Sequence, residues 1–186
     1  ISKRRKSQEK VYFLLNKPRN VVCTNSDPQG RRKAIDFLPP IRQRAYTVGR
    51  LDADSTGLIL LTNDGDLTQH LTHPSAEVPK TSLVTVDGSL GEEQLTRLKR
   101  GVHLDGRPTA GAGVKVEHRG PQRTLLRITL REGRNREIRR MLVRLGHKVR
   151  RLKRVAIGPV TDKGLGVGQI RTLSPKEIRM LREAGK

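Results

Sequence analysis

The residues best suited to chemistry lie in segment 48–67, which reads VGRLDADSTGLILLTNDGDL. It sets Asp52 near the basic Arg50 and before the apolar run 58–61, which the turn signal at 63–65 closes. This pattern predicts a buried strand. An acid just before a buried strand is held in a definite position close to dry protein, and scaffold loops of this kind often carry catalytic groups. The alternative is an aspartate that only caps a turn or pairs with Arg50.

A second segment, 131–142, reads REGRNREIRRML and carries five arginines. Its apolar spacing predicts an amphipathic helix over 135–145. We expect Arg136 and Arg140 on the outer faces, and Arg139 on a flank from which its guanidinium can reach a neighbouring site. One interpretation is a solvated basic face. The other is phosphate binding, with one arginine that pairs with a buried carboxylate and keeps it ionised.

The composition indicates a polyanionic partner. The 186 residues include 39 Lys and Arg against 18 Asp and Glu, which gives a formal net charge of +21. Hydrophobic residues make up 33% of the chain, so we expect a folded domain and not a disordered basic tail. Such a charge attracts nucleic acid through phosphate contacts and counterion release. Aromatic residues make up only 2%, which disfavours modules that stack bases on aromatic side chains.

Residue counts also disfavour several kinds of site. A single cysteine, Cys23, allows neither an internal disulfide nor a cysteine zinc site. The histidines have no spacing typical of ligands, and Asp52 with Asp54 is a weak candidate metal pair, so we expect no metal. No apolar stretch approaches the roughly 20 residues that a membrane-spanning helix needs, so we expect no membrane partner.

The elements that must position these residues form an α+β pattern. Short strands are predicted over 11–15, 58–61, 83–86, 111–116, 125–130 and 149–157. Helices are predicted over 66–71, 90–100, 135–145 and after Ser174, which begins a capping box. This pattern predicts a mixed, largely antiparallel sheet with flanking helices. We expect a basic linker or arm over residues 1–10 and one domain over residues 11–186.

Both informative segments occur within a longer resemblance. VGRLDADSTGLILLTNDG and EGRNREIRRML are similar to motifs of the ribosomal-RNA pseudouridine synthases of the RsuA/RluB/RluE/RluF branch. Further matches are LNKPRNVV, HPSAEVPKTSLVTVDG, HKVRRLKRVAIGPV and LGVGQIRTLS, so the resemblance covers the chain from about residue 10 to its end. It implies the pseudouridine synthase catalytic fold, with a central RNA-binding cleft. It also implies that specific uridines of ribosomal RNA are flipped out, detached, rotated and rejoined through carbon, with no cofactor and no metal.

The resemblance also implies roles for individual residues. Asp52 would be the catalytic aspartate, which attacks the sugar or takes a proton from it while the base is free. Arg139 would be the basic residue that pairs with Asp52. We expect substrate contacts from Arg50, Leu51, Lys80, Ser82, Arg134 and Leu152, the last of which would line the uracil pocket. We expect RNA phosphate contacts from Lys17, Arg31, Arg32, Arg136 and Arg140.

Ser82 departs from the family pattern, in which a tyrosine usually follows the lysine of the active-site strand by two residues. The tyrosine packs against the base, whereas serine offers a small hydroxyl and no stacking surface. Either another group compensates, or the enzyme is slow, or the chain is an impaired or inactive RNA-binding relative that acts in ribosome assembly or structure. A second departure, Asn20 where glycine is common, is minor because asparagine tolerates left-handed backbone angles.

The remaining expectations concern context. No part of the sequence matches the small RNA-binding module that often precedes the catalytic domain in this family, and residues 1–10 resemble the linker that would follow one. We expect ribosomal RNA or a ribosomal particle as the partner, and a monomer when no RNA is bound. The expected location is the bacterial cytoplasm, with a chloroplast or mitochondrion after presequence removal as the alternative. A DNA-binding domain is a weaker rival, because no helix-turn-helix or finger pattern supports it.

Overall fold

A computed structural model describes residues 8–186. Most of the expected linker, residues 1–7, lies outside this range, and residues 8–10 have no regular structure. The strands are β1 (Tyr12–Lys17), β2 (Tyr46–Thr47), β3 (Thr56–Thr62), β4 (Lys80–Asp87), β5 (His103–Leu104), β6 (Arg107–Pro108), β7 (Gly113–Arg119), β8 (Arg123–Leu130), β9 (Val149–Ile157), β10 (Val160–Thr161) and β11 (Ile170–Thr172). The helices are α1 (Gly65–Thr72), α2 (Glu92–Arg100), α3 (Glu137–Arg144) and α4 (Pro175–Glu183), with short 3-10 turns at Ala34–Phe37 and Pro74–Ala76.

The predicted strands and helices are confirmed, with shifted ends. The apolar run 58–61 is fully enclosed within β3, where it is almost completely buried. The capping box at Ser174 is present, since its hydroxyl accepts from the Glu177 amide and the Glu177 carboxylate accepts from the Ser174 amide. Helix α3 begins at Glu137 and not at 135, because Arg136 has a left-handed backbone with a φ of 49°.

The strands form a mixed sheet in the order β11-β1-β3-β9-β4-β8-β7, with β2 added to β3 and β10 added to β9. These pairs are antiparallel except for β3 and β9, which run parallel where Gly57 meets Arg154. The close approach depends on glycine, since a Cβ at Gly57 would lie 2.1 Å from the carbonyl oxygen of Arg154. The sheet therefore has two antiparallel halves that meet at one short parallel seam.

Each half of the sheet has its own core. Strands β4, β8 and β9 pack against α2 and α3 through residues such as Leu98, Leu126 and Met141, all fully buried. On the other half, one face of β1 and β3 packs against α1 and α4, and the opposite face is covered by the loops before β3. The alternation predicted for β8 is confirmed: Leu126 and its neighbours two residues apart face the core. The seam between the halves is where the loop carrying Asp52 enters β3.

Candidate active site

The residues singled out from the sequence converge on one cleft of about 760 Å³. The cleft lies over the seam between the two halves of the sheet. Its walls include nine of the predicted site residues: Arg50, Leu51, Asp52, Lys80, Ser82, Arg134, Arg136, Arg139 and Leu152. Segments far apart in the sequence, the loop before β3 and the start of α3, thus meet at one place.

Main-chain hydrogen bonds fix the loop that carries Asp52. The Ser55 amide donates to the Asp52 carbonyl at 3.0 Å, which closes a tight turn just before β3. The Asn20 amide donates to the Ala53 carbonyl at 2.7 Å. Asn20 itself has a φ of 65°, the left-handed conformation that the sequence led us to expect it to tolerate. The main chain of Asp52 and of the residue after it is therefore anchored.

Arg136 makes the ion pair with Asp52. Its Nη1 lies 3.3 Å from the Asp52 carboxylate and donates to Asp54 at 2.9 Å, while its Nη2 donates to the other Asp54 oxygen at 3.0 Å. The hydrogen bonds from Arg136 hold the pKa of the Asp54 carboxyl below its ordinary value. About a third of the Asp52 side chain, 33%, remains accessible. The acid is thus less enclosed than the expectation of dry surroundings suggested.

The predicted pairing of Arg139 with Asp52 is wrong. Arg139 Nη2 donates to Ser55 Oγ at 3.0 Å and to the Asp54 carbonyl at 3.3 Å, and Nη1 lies 3.6 Å from the Asp54 carboxylate. Because α3 begins only at Glu137, Arg136 extends over the acids. Arg139, in the first turn of α3, supports the loop through Ser55 and Asp54. Burial lowers the pKa of Arg139.

Lys17 does not lie at the surface, so its predicted contact with RNA phosphates is wrong. The side chain is completely buried at the end of β1. Its Nζ donates to the carbonyls of Val21 at 2.8 Å, Pro18 at 2.9 Å and Ala53 at 3.5 Å. Burial lowers the pKa of Lys17 to about 8. Lys17 therefore braces the loop of Asp52 from within the protein.

Two other arginines contact the β5–β6 hairpin. The guanidinium of Arg134 donates to the carbonyls of Leu104 and Pro108, and Arg140 forms an ion pair with Asp105 at the hairpin tip. Arg134 lines the cleft all the same, and Arg140 lies outside it. Their contacts with substrate and phosphate stay predictions.

The loop after β1 presents Arg31 and Arg32 on the surface. Arg31 pairs with Asp27 at 3.1 Å, and Arg32 stacks 3.8 Å above the ring of Phe37. Both side chains are exposed at the outer surface, which is compatible with phosphate binding. Their contacts with RNA also stay predictions.

Two cleft residues were missed by reasoning from the sequence. Arg154, on β9, is buried with 8% of its surface accessible, and it occupies the position two after Leu152 on the same strand face. Its position two residues after Leu152 in the predicted strand 149–157, which puts both side chains on one face, was the signal that could have identified it. Glu137, at the start of α3, is also buried, and burial raises the pKa of its carboxyl to about 7.

Some kinds of site and element do not occur among residues 8–186. No group of three or more His, Cys, Asp or Glu side chains in this range is arranged to hold a metal ion. No helix within the same range is long and apolar enough to cross a membrane.

Comparison with known proteins assigns the family. A model of the RNA pseudouridylate synthase family matches residues 11–143. Ribosomal large subunit pseudouridine synthase B of Bacillus subtilis (strain 168) is 42% identical over 177 residues, which are 94% of this chain and 72% of that protein. An uncharacterized RNA pseudouridine synthase of Aquifex aeolicus (strain VF5) is 37% identical over 180 residues, 96% of this chain and 72% of that protein.

Comparison with solved structures supports the same family. A crystal structure of pseudouridylate synthase superposes with a TM-score of 0.86 at 35% identity, over 95% of this chain and 75% of that one. The archaeal box H/ACA Nop10–Cbf5 complex shares the fold at 16% identity, with a TM-score of 0.60. The chain therefore belongs to the RNA pseudouridylate synthase family, in its RsuA/RluB-like branch.

Proposed function

We propose that this protein converts specific uridines of ribosomal RNA to pseudouridine, with Asp52 as the catalytic group. The observation that carries the proposal is the position of Asp52 at the cleft, paired with Arg136 and held between anchored main-chain atoms. An ionised carboxylate in a fixed position can act as a nucleophile or as a base. The partial exposure of Asp52 leaves its oxygens open to an extruded nucleoside.

The proposed reaction proceeds in two steps. The bond between C1′ and N1 breaks with its electron pair staying on the base, while C1′ bonds to an oxygen of Asp52, or Asp52 takes the 2′ proton. After rotation of the base, its C5 forms the new bond to C1′, and the carboxylate, or the proton it took, is returned. N1 ends protonated and C5 loses its hydrogen, so that the product is an isomer of the substrate. Leu152 and the neighbouring apolar wall would keep water from the intermediate.

Ribosomal RNA is the substrate that the relatives suggest. Several are named ribosomal large subunit pseudouridine synthase B, among them the Bacillus subtilis protein. The net charge of +21 is suited to binding a polyanion such as ribosomal RNA. We extend this to RNA phosphate contacts from Arg31, Arg32, Arg136 and Arg140, and to a monomer without bound cofactor. Because the relatives named here come from bacteria, we infer a bacterial cytoplasmic location.

The test uses unmodified large-subunit ribosomal RNA and chemical mapping of pseudouridine. We expect wild type to form new pseudouridine. For Asp52→Asn we expect a rate at least about a thousandfold lower than that of wild type. Asp66→Asn, an exposed aspartate at the start of α1, is the matched control and should behave as wild type. Wild type that leaves every uridine unchanged would refute the proposal.

The rival function is RNA binding without catalysis, which Ser82 favours because it gives the cleft no aromatic surface. The same experiment separates the two when RNA affinity is measured in parallel. Tight binding by wild type and Asp52→Asn alike, with no pseudouridine from either, would support the rival.

A further inference from the structure

Below Asp52, four residues form a row across four strands. Lys17 of β1 pairs with Gly57 of β3, Gly57 pairs with Arg154 of β9, and Arg154 pairs with Ser82 of β4. The residues flanking Arg154 are therefore the two smallest side chains of the row. Neither neighbour therefore has a long side chain, and both Ser82 and Arg154 line the cleft that holds Asp52.

The guanidinium of Arg154 is buried but only partly used. Its Nε donates to the Leu58 carbonyl at 2.8 Å. Neither terminal nitrogen has a hydrogen-bond partner among residues 8–186, and neither is among the sealed, unpartnered atoms of that range. The terminal nitrogens are therefore open to the cleft. Placing a guanidinium in such surroundings without a partner is costly, so a ligand that completes its hydrogen bonds is expected.

The cleft floor carries more positive than negative charge. Lys80 and Arg154 line the cleft, the charge of Arg154 helps to lower the pKa of Lys80, and within the described part of the chain neither has a carboxylate within 4 Å. Burial lowers the pKa of Lys80 to about 8 and that of Arg154 to about 10. Lys80 Nζ makes one hydrogen bond, to the Leu71 carbonyl at 3.2 Å. The charge of the Asp52 carboxylate acts on Arg154 and raises its pKa in part. The floor is thus suited to bind an anion that appears beside Asp52.

We propose that Arg154 is a further catalytic residue, which binds the detached uracil as its anion. This inference rests on the proposed function. When the bond from C1′ to N1 breaks, the electron pair stays on the base, whether C1′ bonds to an oxygen of Asp52 or C2′ loses its proton to Asp52. The charge spreads from N1 onto O2 and O4. The two terminal nitrogens of Arg154 form a planar fork of donors that matches the adjacent acceptors N1 and O2 of this anion. Donors fixed in advance at a developing charge lower the barrier most in a cleft of low polarity.

The experiment measures single-turnover detachment of the base from ribosomal RNA transcripts that contain uridine or 5-fluorouridine. Loss of the N-linked nucleoside is followed by nuclease digestion and chromatography. On uridine we expect Arg154→Gln to be about 100-fold slower at unchanged RNA affinity. Arg154→Lys, which keeps a cation, should recover part of the rate. Arg151→Gln, an exposed arginine on the same strand, is the control and should match wild type.

The fluorine substituent gives a readout that a purely structural role would not change. Because fluorine withdraws electrons, it stabilises the departing anion by itself, so the defect of Arg154→Gln should be clearly smaller on 5-fluorouridine. A rate equal to wild type, or equal defects on both substrates, would overturn the inference. If Arg154→Gln does not fold, the same comparison with Arg154→Lys decides in the same way.

Failure of the proposed function is recognised separately. If wild type detaches no base, a binding experiment tests the inference instead. The full chain is titrated by NMR with barbiturate, which is a pyrimidine anion at neutral pH, and with uracil, which is neutral. A preference for barbiturate that Arg154→Gln removes would support the inference. If wild type shows no preference for barbiturate over uracil, the inference is overturned.

Discussion

The guanidinium of Arg136 lies 3.3 Å from the carboxylate of Asp52, and the backbone of Arg136 is left-handed with a φ of 49°. A residue other than glycine in this region costs of order 1 kcal/mol or more, and such strain clusters at functional sites. Here the conformation delays the start of α3 to Glu137 and turns the Arg136 side chain across to the loop before β3. Asp54 then holds it by two hydrogen bonds, so that one arginine joins both halves of the cleft.

Asp54→Asn tests whether this connection positions Arg136. An amide keeps the size of the carboxylate but loses the charge that faces Arg136 and Arg139. Because these side chains are partly exposed, the pairs are weak, and we expect kcat to fall roughly two- to fivefold with KM for RNA nearly unchanged. Steady-state kinetics on ribosomal RNA is the measurement. Asp66→Asn serves again as control, and an unchanged kcat for Asp54→Asn would show that Arg136 needs no such support.

Glu137→Gln is expected to stabilise the protein in alkaline solution. Burial raises the pKa of Glu137 to about 7, and the neighbouring Glu132 raises it further. Between about pH 4.5 and pH 7 the unfolded chain therefore loses this proton and the folded chain retains it, so the free energy of unfolding falls as the pH rises. Glutamine imitates the protonated form, and the Arg134 amide can still donate to its oxygen.

At about pH 8 we expect Glu137→Gln to exceed wild type by roughly 1–3 kcal/mol, and near pH 4.5 the two should be alike. Urea unfolding at both pH values measures this. Glu93→Gln, on the exposed face of α2, should give no such pH dependence. A Glu137→Gln variant that is no more stable than wild type at pH 8 would show that Glu137 is ionised there without cost.

Ser82→Tyr is expected to raise activity. Ser82 lines the cleft on β4 and offers no surface on which a flipped base can stack. An aromatic ring contributes about 1–3 kcal/mol to the stacking of a base, which predicts an increase in kcat/KM of roughly tenfold. Single-turnover assays on ribosomal RNA compare it with wild type and with Ser82→Ala, which removes the hydroxyl without adding a ring. If Ser82→Tyr is no faster, the small residue is not what limits the rate.

Local sequence signals predicted most of the fold. The alternation in 125–130, the strand-like composition of 149–157 and the capping box at Ser174 are local signals, and each predicted the correct element. Two-residue strands such as β2 and β10 show no period and were missed. These pairs exist because neighbouring strands are already in position.

The sequence could predict which residues reach the site, but not which residue pairs with which. The segment with Asp52 and the segment with Arg139 do meet at one cleft, yet Arg136 occupies the place expected for Arg139. A helical pattern cannot indicate that one residue will leave the helix to bind an acid 84 residues away. The burial of Lys17 depends likewise on the Ala53 carbonyl, 36 residues away. A charged residue in the sequence can therefore be identified as a candidate for the site, but its partner and its burial depend on contacts with distant parts of the chain.

Gly57→Ala tests the seam on which the cleft is built. Gly57 has a φ of 107°, which residues with a side chain rarely adopt, and an added Cβ would lie 2.1 Å from the carbonyl oxygen of Arg154. The backbone of β3 or β9 must therefore move. We expect a loss of unfolding free energy of about 3 kcal/mol or more, with a lower activity because Asp52 and Arg154 are displaced together. The control is Gly65→Ala in the first turn of α1, where nothing lies within 4 Å and stability should stay equal or rise by up to about 1 kcal/mol. Urea unfolding of both variants measures the difference, and equal stabilities would show that the parallel seam adapts to a side chain.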